Sequence, residues 1–236
     1  MSKIAAAAKA ELGNGKAKTQ KGARTRAALK QAAQRVLETT PYHEIRISDI
    51  TTEAGVATGL YYHYFSDLKA LLIELVEDVI AEIEDIDALE GEVKKGDWFG
   101  RLKVHVRVVV EAYQKQPGMM RCLAQMSSES PELAALWRRS IERRIGFLID
   151  HLDKIFPDVQ LSEKERVFYS YALGGIGDVF LQEYFIHRLG ELCRFKASAD
   201  EIAELVATMY YRALFAGVPG ADELAHWPTL ARMKAD

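Results

Sequence analysis

Helical periodicity is the feature of this sequence that most restricts its fold. Apolar residues recur three or four positions apart along most of the chain, and the alternation typical of β-strands is almost absent. This pattern predicts an all-α protein. No stretch of about 18 apolar residues is free of charge, so we do not expect a membrane-spanning helix.

Cap and break signals divide the pattern into separate helices. The first helix is expected from about Arg24 to Thr39, and a later one from Asp67 to about Asp87. Four serines stand where they would cap helices: Ser66, Ser130, Ser162 and Ser198. The other predicted helices cover about residues 47–54, 58–65, 98–116, 117–126, 131–157, 163–188 and 199–216.

Charge is distributed unevenly along the chain. Residues 1–65 hold ten Lys or Arg and five Asp or Glu, whereas residues 66–236 hold 21 and 29. A basic N-terminal quarter on an acidic body favours nucleic-acid binding at that end, although a solvated basic tail would give the same balance. We expect residues 1–22 to be a basic, disordered tail rather than a signal peptide.

The stretch "EAGVATGLYYHYF", Glu53 to Phe65, has the spacing of a helix-turn-helix. Gly55 can adopt the left-handed conformation that a tight turn between two short helices requires. A helix over residues 58–65 has a small polar face of Thr58, Gly59, Tyr62 and His63, and an opposite apolar face of Leu60, Tyr61, Tyr64 and Phe65. An ordinary αα-hairpin that binds nothing needs no such polar face.

The segment from Arg26 to Val76 closely resembles the DNA-binding region of TetR-family transcriptional regulators. The matching features are Ala32-Ala33, Tyr42, Ile50, the "AGV" turn, Gly59, the "Y-x-Y-F" at Tyr62–Phe65 and the "LL" at Leu71-Leu72. The rest of the chain resembles the family only in its length and all-helical character. The resemblance implies a helix-turn-helix DNA-binding domain at residues 23–66, and an effector-binding and dimerisation domain at residues 67–236.

Three positions depart from the family pattern. Leu68 stands where the family usually has a Lys, and Lys69 follows it. Arg46 stands where a Thr often caps the second helix; Arg cannot cap that end, but it can reach a phosphate. Thr51 replaces the usual Ala between the two helices, which predicts a slightly wider crossing.

The resemblance implies that the third helix enters the major groove of a palindromic or pseudo-palindromic double-stranded DNA operator. We expect Tyr62 to bond a phosphate, His63 to donate to a guanine edge or a phosphate, and Thr58 to touch a base or a thymine methyl. The predicted contact set is Arg46, Ser48, Thr52, Thr58, Gly59, Tyr62, His63 and Lys69. Tail cations are expected to reach phosphates or the minor groove: Lys18, Lys21, Arg24 and Arg26.

The C-terminal body is expected to hold a small-molecule effector in a largely apolar cavity. The predicted lining is His105, Val109, Tyr113, Met120, Leu123, Met126, Trp137, Ile141, Arg144, Phe168, Tyr171 and Asp178. Any one of these residues could instead belong to the core, although a Met cluster suits an irregular cavity. The few charges favour an apolar or aromatic effector, and Arg144 would pair either with a carboxylate on that ligand or with Asp178.

The last two long predicted helices, at about 163–188 and 199–216, are expected to pair across a two-fold axis into a four-helix homodimer interface, as the resemblance implies. The segment "LGGIGD", Leu173 to Asp178, lacks the preceding strand of a phosphate loop. Its small residues are better explained by close packing between helices.

Catalytic and metal-binding patterns are missing from the sequence. The six histidines form no HxxxH or HExxH pair, and neither GxSxG nor a Cys–His signature appears. Cys122 and Cys193 form no CxxC motif, which favours a reduced, cytoplasmic protein. We expect no enzyme, cofactor or metal site. The leading hypothesis is a homodimeric repressor that an effector releases from its operator, and the alternative is a helical small-molecule carrier with a vestigial head.

Overall fold

The computed structural model describes residues 20–84, 91–217, 219–220, 222–227 and 230, and every regular element within them is helical, as predicted. The head contains α1 (Gln20–Thr39), a 3-10 turn (Tyr42–Glu44), α2 (Ile47–Glu53) and α3 (Thr58–Tyr61). The body contains α4 (Leu68–Glu84), α5 (Trp98–Lys115), α6 (Pro117–Glu129), α7 (Pro131–Ile155), α8 (Glu163–Leu181), α9 (Gly190–Cys193) and α10 (Ala199–Phe215).

The head packs around the apolar face of α1. Leu29 and Leu37 of α1, Ile50 of α2 and Tyr61 of α3 are all fully buried in one cluster. Gly55, between α2 and α3, has a φ of 66°, which is the left-handed conformation expected at this turn. A few buried apolar side chains therefore fix the angle between the two short helices.

The head is docked on the body by close backbone approach and by charge. A Cβ on Gly118 of α6 would lie only 2.4 Å from the Leu37 carbonyl oxygen of α1, so this position admits no side chain. The neighbouring Arg121 donates from Nη2 to the same carbonyl at 2.7 Å. Lysine Lys30 of α1 forms an ion pair with Asp78 of α4. Part of the acidic face of α4 is thus turned towards α1.

Several predicted boundaries and caps differ from the structure. The first helix begins at Gln20, so residues 20–22 are helical, while residues 1–19 of the predicted tail lie outside the described residues. The same holds for residues 85–87 of the fourth predicted helix. Asp67, not Ser66, caps α4, because its carboxylate accepts the Ala70 N–H at 2.8 Å. The Ser130 hydroxyl is buried and makes no cap hydrogen bond.

Two predicted helices are shorter than expected. In the third predicted helix, regular α-helix ends at Tyr61. A tighter turn follows to Phe65, in which the His63 backbone N–H donates to the Leu60 carbonyl. The helix predicted at 163–188 ends at Leu181 and passes into a π-helical segment at Gln182–Ile186. The predicted helix to about residue 188 therefore ends in a π-helical turn, and a further short helix, α9, lies between α8 and α10.

The C-terminal segment, described at residues 219–220, 222–227 and 230, is held against α10 by one buried carboxylate. Glu204 of α10 is fully buried and accepts backbone N–H groups from Ala225 at 3.1 Å, His226 at 2.7 Å and Trp227 at 3.0 Å. Lys103 of α5 donates to the same carboxylate at 3.3 Å. Four donors from two other parts of the chain thus converge on one side chain.

Candidate nucleic-acid interface and effector cavity

All eight predicted DNA-contact residues are exposed to solvent. Ser48 and Thr52 lie on the outer face of α2, Thr58 and Gly59 open α3, and Tyr62 and His63 follow in the next turn. Tyr62 is 58% exposed although it is aromatic, and its ring meets the edge of Tyr61 with centroids 5.6 Å apart. The polar face predicted for this segment therefore forms one outward surface.

The side chains behind this face fix its orientation. The buried Tyr61 hydroxyl donates to the Asp67 carbonyl at 2.9 Å, which ties α3 to the start of α4, and burial raises the pKa of Tyr61. Thr51 is buried between α2 and α3, where its hydroxyl donates to the Ser48 carbonyl and lies 3.2 Å from Thr58 Oγ1. The unusual Thr51 thus places one of the predicted contact residues, a role that the sequence did not indicate.

The predicted cations of the head differ in their availability. The Arg46 side chain is exposed and has no ion-pair partner among the described residues. Its backbone N–H donates to the Asp49 carboxylate at 2.8 Å. Lys69 is exposed but forms an ion pair with Glu132 of α7 at 2.9 Å. Arg26, which was expected to reach phosphates or the minor groove, forms an ion pair with Glu74 and stacks on the Phe65 ring.

A cavity of about 140 Å³ lies in the body between α5, α7, α8 and α10. Five predicted residues line it: His105, Val109, Ile141, Arg144 and Asp178. Much of the remaining wall is apolar and comes from the two late helices that the sequence had assigned to the dimer interface: Leu173, Leu181, Val206, Leu214 and Phe215. The helices of this region therefore contribute one face to the cavity and another to the surface.

The other seven predicted lining residues lie elsewhere. Tyr113, Met120, Leu123 and Met126 are buried in the main core, and Trp137 packs against it. The Met cluster therefore fills space between α6 and its neighbours. Phe168 and Tyr171 are 69% and 44% exposed, because they lie on the side of α8 opposite Ser170, Leu173 and Gly177.

Three polar side chains that line the cavity have shifted pKa values. Burial lowers the pKa of Arg144, and the nearby Asp178 opposes that shift. Burial raises the pKa of Asp178, and Arg144 opposes it in turn. Burial raises the pKa of Tyr210 to about 12, and its hydroxyl donates to the Gly174 carbonyl at 3.4 Å. The Tyr210 hydroxyl can sit there because Gly177 has no side chain: a Cβ would lie 2.2 Å from it.

The head carries the sequence of a known DNA-binding module. Residues 29–75 match the family model described as "Bacterial regulatory proteins, tetR family". The chain belongs to the TetR family. The matched segment contains α2, α3 and the turn with Gly55, and thus most of the exposed polar face.

Relatives of this TetR-family protein share part of its length. It is 24% identical to the HTH-type transcriptional regulator EthR of Mycolicibacterium smegmatis over 120 residues, which are 51% of this chain and 55% of EthR. It is 27% identical to the HTH-type transcriptional regulator BetI of Vibrio atlanticus over 135 residues, 55% of this chain and 68% of BetI. The matched region thus spans about half to two thirds of these relatives.

Solved structures share the fold more completely. The crystal structure of a putative transcriptional regulator from Pseudomonas aeruginosa PAO1 superposes with a TM-score of 0.66 and 15% identity. The superposition covers 85% of this TetR-family protein and 94% of the Pseudomonas chain. A putative TetR-family regulator from Mesorhizobium loti covers 84% and 98%, with a TM-score of 0.60 and 18% identity. At such identities these structures show that the fold is shared.

An apolar stripe runs along the outer face of α8 in this TetR-family protein. Its members are exposed and follow helical spacing: Phe168, Tyr171, Gly175, Ile176 and Val179. Met209 and Ala213 are exposed on α10, and the Tyr169 hydroxyl donates to the Ala213 carbonyl, which joins the two helices. Exposed apolar surface of this extent is typical of an interaction site.

Two further searches of the described residues concern metals and membranes. No group of three or more His, Cys, Asp or Glu side chains in this part of the chain is placed to hold a metal ion. None of the described helices has the length and apolar character needed to cross a membrane.

Proposed function

We propose that this TetR-family protein is a cytoplasmic transcriptional repressor that binds a palindromic DNA operator as a homodimer and is released by a small apolar or aromatic effector. The observation that carries this proposal is the outward polar face of Thr58, Gly59, Tyr62 and His63, supported from behind by buried Tyr61. On this proposal residues 23–66 read DNA, and residues 67–236 bind the effector and form the dimer.

The proposed contacts follow from the chemistry of each side chain. Gly59 lets the α3 backbone approach the DNA, and the exposed Tyr62 hydroxyl donates to a phosphate, which fixes register. His63 and Thr58 lie beside it and are the candidates for reading bases. Arg46 supplies a cation at longer range. Lys69 would have to exchange Glu132 for a phosphate, so we assign it a weaker part.

Effector binding reaches the head through α7 and α4. Arg144 of α7 lines the cavity. The same helix contacts both ends of α4 through the Lys69–Glu132 and Arg143–Glu84 ion pairs. A ligand that moves α7 would therefore move α4 and change the separation of the two heads. The free energy available for this switch is the difference in ligand affinity between the two head spacings.

DNA binding is tested with Tyr62→Ala combined with His63→Ala. We expect the double variant to lose about 2–5 kcal/mol of affinity for a selected operator, the usual scale for a few lost polar contacts. His43→Ala is the matched control, because His43 is exposed in the head but lies outside the proposed face. Fluorescence anisotropy at several salt concentrations measures the loss. A folded double variant that binds like the wild type contradicts the proposed face, and an inert wild type favours the carrier alternative.

Dimerisation is tested at Gly175, which has open space around its Cα within the protomer. Gly175→Leu should fold normally and lose the dimer, because the added side chain projects only outward. Val179→Glu should do the same, whereas Val159→Glu, at another exposed Val outside α8, should remain dimeric. Sedimentation equilibrium at micromolar concentration distinguishes these cases, and a monomeric wild type refutes the proposed interface.

A further inference from the structure

Two opposite charges face the cavity without pairing. Arg144 donates from Nη1 to the Ser140 hydroxyl at 2.9 Å and stacks on the Trp137 ring at 5.3 Å, but it forms no ion pair with any described carboxylate. The Asp178 carboxylate has no hydrogen-bond partner among the described residues. Both side chains are half-buried at the cavity, so their unused hydrogen-bonding capacity is open to a ligand there.

Ser170 adds a third unsatisfied group to the same wall. Its side chain is completely buried, and its hydroxyl has no partner within the described chain. Ser170 precedes Asp178 by eight residues on α8, and both line the cavity. Arg101, His105 and His151 also line it, but each has a partner within the protein. The unused polar capacity is therefore concentrated at Arg144, Asp178 and Ser170.

The volume and the remaining walls limit the size of a ligand. A cavity of about 140 Å³ is close in size to the apolar cavity of about 150 Å³ that holds benzene, so it fits a ligand of about one six-membered ring. Apolar side chains such as Val109, Ile141 and Leu173 surround the space for the ring. A sugar phosphate or nucleotide exceeds this volume.

The charges also restrict the polar head of a ligand. A carboxylate that accepts from Arg144 would bring a second negative charge close to Asp178, and an ammonium that donates to Asp178 would lie close to Arg144. A neutral group that both accepts and donates avoids either repulsion. A carboxamide has this property, because its oxygen accepts from Arg144 while its NH₂ group donates to Asp178.

We propose that the cavity selects a compact aromatic or apolar ligand with an uncharged carboxamide head, held between Arg144 on one side and Asp178 on the other. This inference rests on the proposed function only in taking the ligand of this cavity to be the effector. It narrows the effector class from apolar compounds in general to neutral amides of about one ring.

Three compounds that share a ring and differ in the head test this selection: benzamide, benzoate and benzylamine. Isothermal titration calorimetry on the full chain at neutral pH, without DNA, should give the tightest binding for benzamide. We expect the two charged compounds to bind at least about tenfold more weakly, the factor for one lost charge-assisted hydrogen bond.

Variants of the two charged residues should change this order in opposite directions. Asp178→Asn keeps the shape but removes the negative charge, so benzoate should gain affinity relative to benzamide. Arg144→Met removes the positive charge, so benzylamine should gain. The matched controls are Arg139→Met and Asp158→Asn, which change exposed residues of the same types outside the cavity and should keep the wild-type order.

The possible outcomes separate this inference from the proposed function. Benzamide preference with both predicted reversals supports it. Benzoate or benzylamine binding as tightly as benzamide to the wild type overturns it, as does failure of all three to bind a folded protein. Asp178→Asn is nearly isosteric and remains informative if Arg144→Met does not fold. Operator binding is measured separately, so loss of DNA binding in the wild type would refute the repressor and leave the ligand class standing.

Discussion

Replacing Glu204 by Gln should release the C-terminal segment from α10. The substitution keeps the shape of the side chain, so it leaves no void. In the wild type, Oε1 accepts the N–H groups of His226 and Trp227, and Oε2 accepts those of Ala225 and the Lys103 ammonium. A Gln amide can preserve one of these pairs, but its NH₂ group then faces the other two donors.

The expected cost follows from the number of lost hydrogen bonds. Two bonds to a charged acceptor disappear, each contributing about 1.5–3 kcal/mol, so the variant should lose about 3–6 kcal/mol of stability. The lower end applies if the segment detaches locally instead of remaining in a strained position. In either case the fluorescence of Trp227 should change, because its indole N–H donates to the Glu201 carbonyl at 2.7 Å in the attached state.

Urea unfolding followed by circular dichroism, together with hydrogen exchange at Ala225, His226 and Trp227, measures this loss. The control is Glu191→Gln, a change of the same type at an exposed residue, which should shift stability by less than about 0.5 kcal/mol. If Glu204→Gln unfolds at the same urea concentration as the wild type and its three amides are equally protected from hydrogen exchange, the hydrogen bonds to Glu204 do not contribute to stability.

Three further predictions concern pH and close backbone approach. Burial alone would raise the pKa of Glu204, but hydrogen bonds from His226, Trp227 and Lys103 outweigh it and hold the pKa below the ordinary 4.5. The stability that the Glu204 carboxylate contributes is therefore fully present above that pH and is lost as the pH falls through the folded-state pKa. Urea titrations should show a smaller stability difference between wild type and Glu204→Gln in acid than at neutral pH. Gly118→Ala should cost about 1–3 kcal/mol, because its Cβ meets the Leu37 carbonyl, and an unchanged melting temperature would show that α1 is not held there. Gly177→Ala should displace Tyr210 and destabilise the protein by a similar amount. Gly175→Ala, in open space, should instead raise stability by up to about 1 kcal/mol when it is made in a monomer-forming background such as Val179→Glu. Equal melting temperatures for the two variants would contradict this contrast.

The head could be predicted closely because its determinants are local. The conformation of Gly55, the burial of Tyr61 and the exposure of Tyr62 all follow from a short segment whose period and turn chemistry are readable. Thr51 shows the limit of this reasoning. Its hydroxyl is useful only because Thr58 lies 3.2 Å away across the turn, and that distance is a property of the folded chain.

The cavity could be predicted only in part because each lining residue depends on how four helices rotate about their axes. The sequence gives the apolar face of α8 poorly, since both of its faces carry large apolar side chains. Phe168 therefore resembled a cavity residue, and Ser170, which faces the cavity, carried no signal. The π-helical segment after Leu181 is equally invisible, because no Pro or Gly interrupts residues 182–186.

The close approach of Gly118 to Leu37 implies that the head cannot be exchanged between relatives independently of the body. Side chains from head and body belong to one continuous core, so the two regions should unfold as one cooperative unit. A chimera that joins this head to the body of a relative would need a Gly and an Arg at the positions of Gly118 and Arg121 to seat α1. On the proposed function, substitutions on the outer face of α3 can change operator preference, whereas the orientation of that face depends on the packing of α1 against α6.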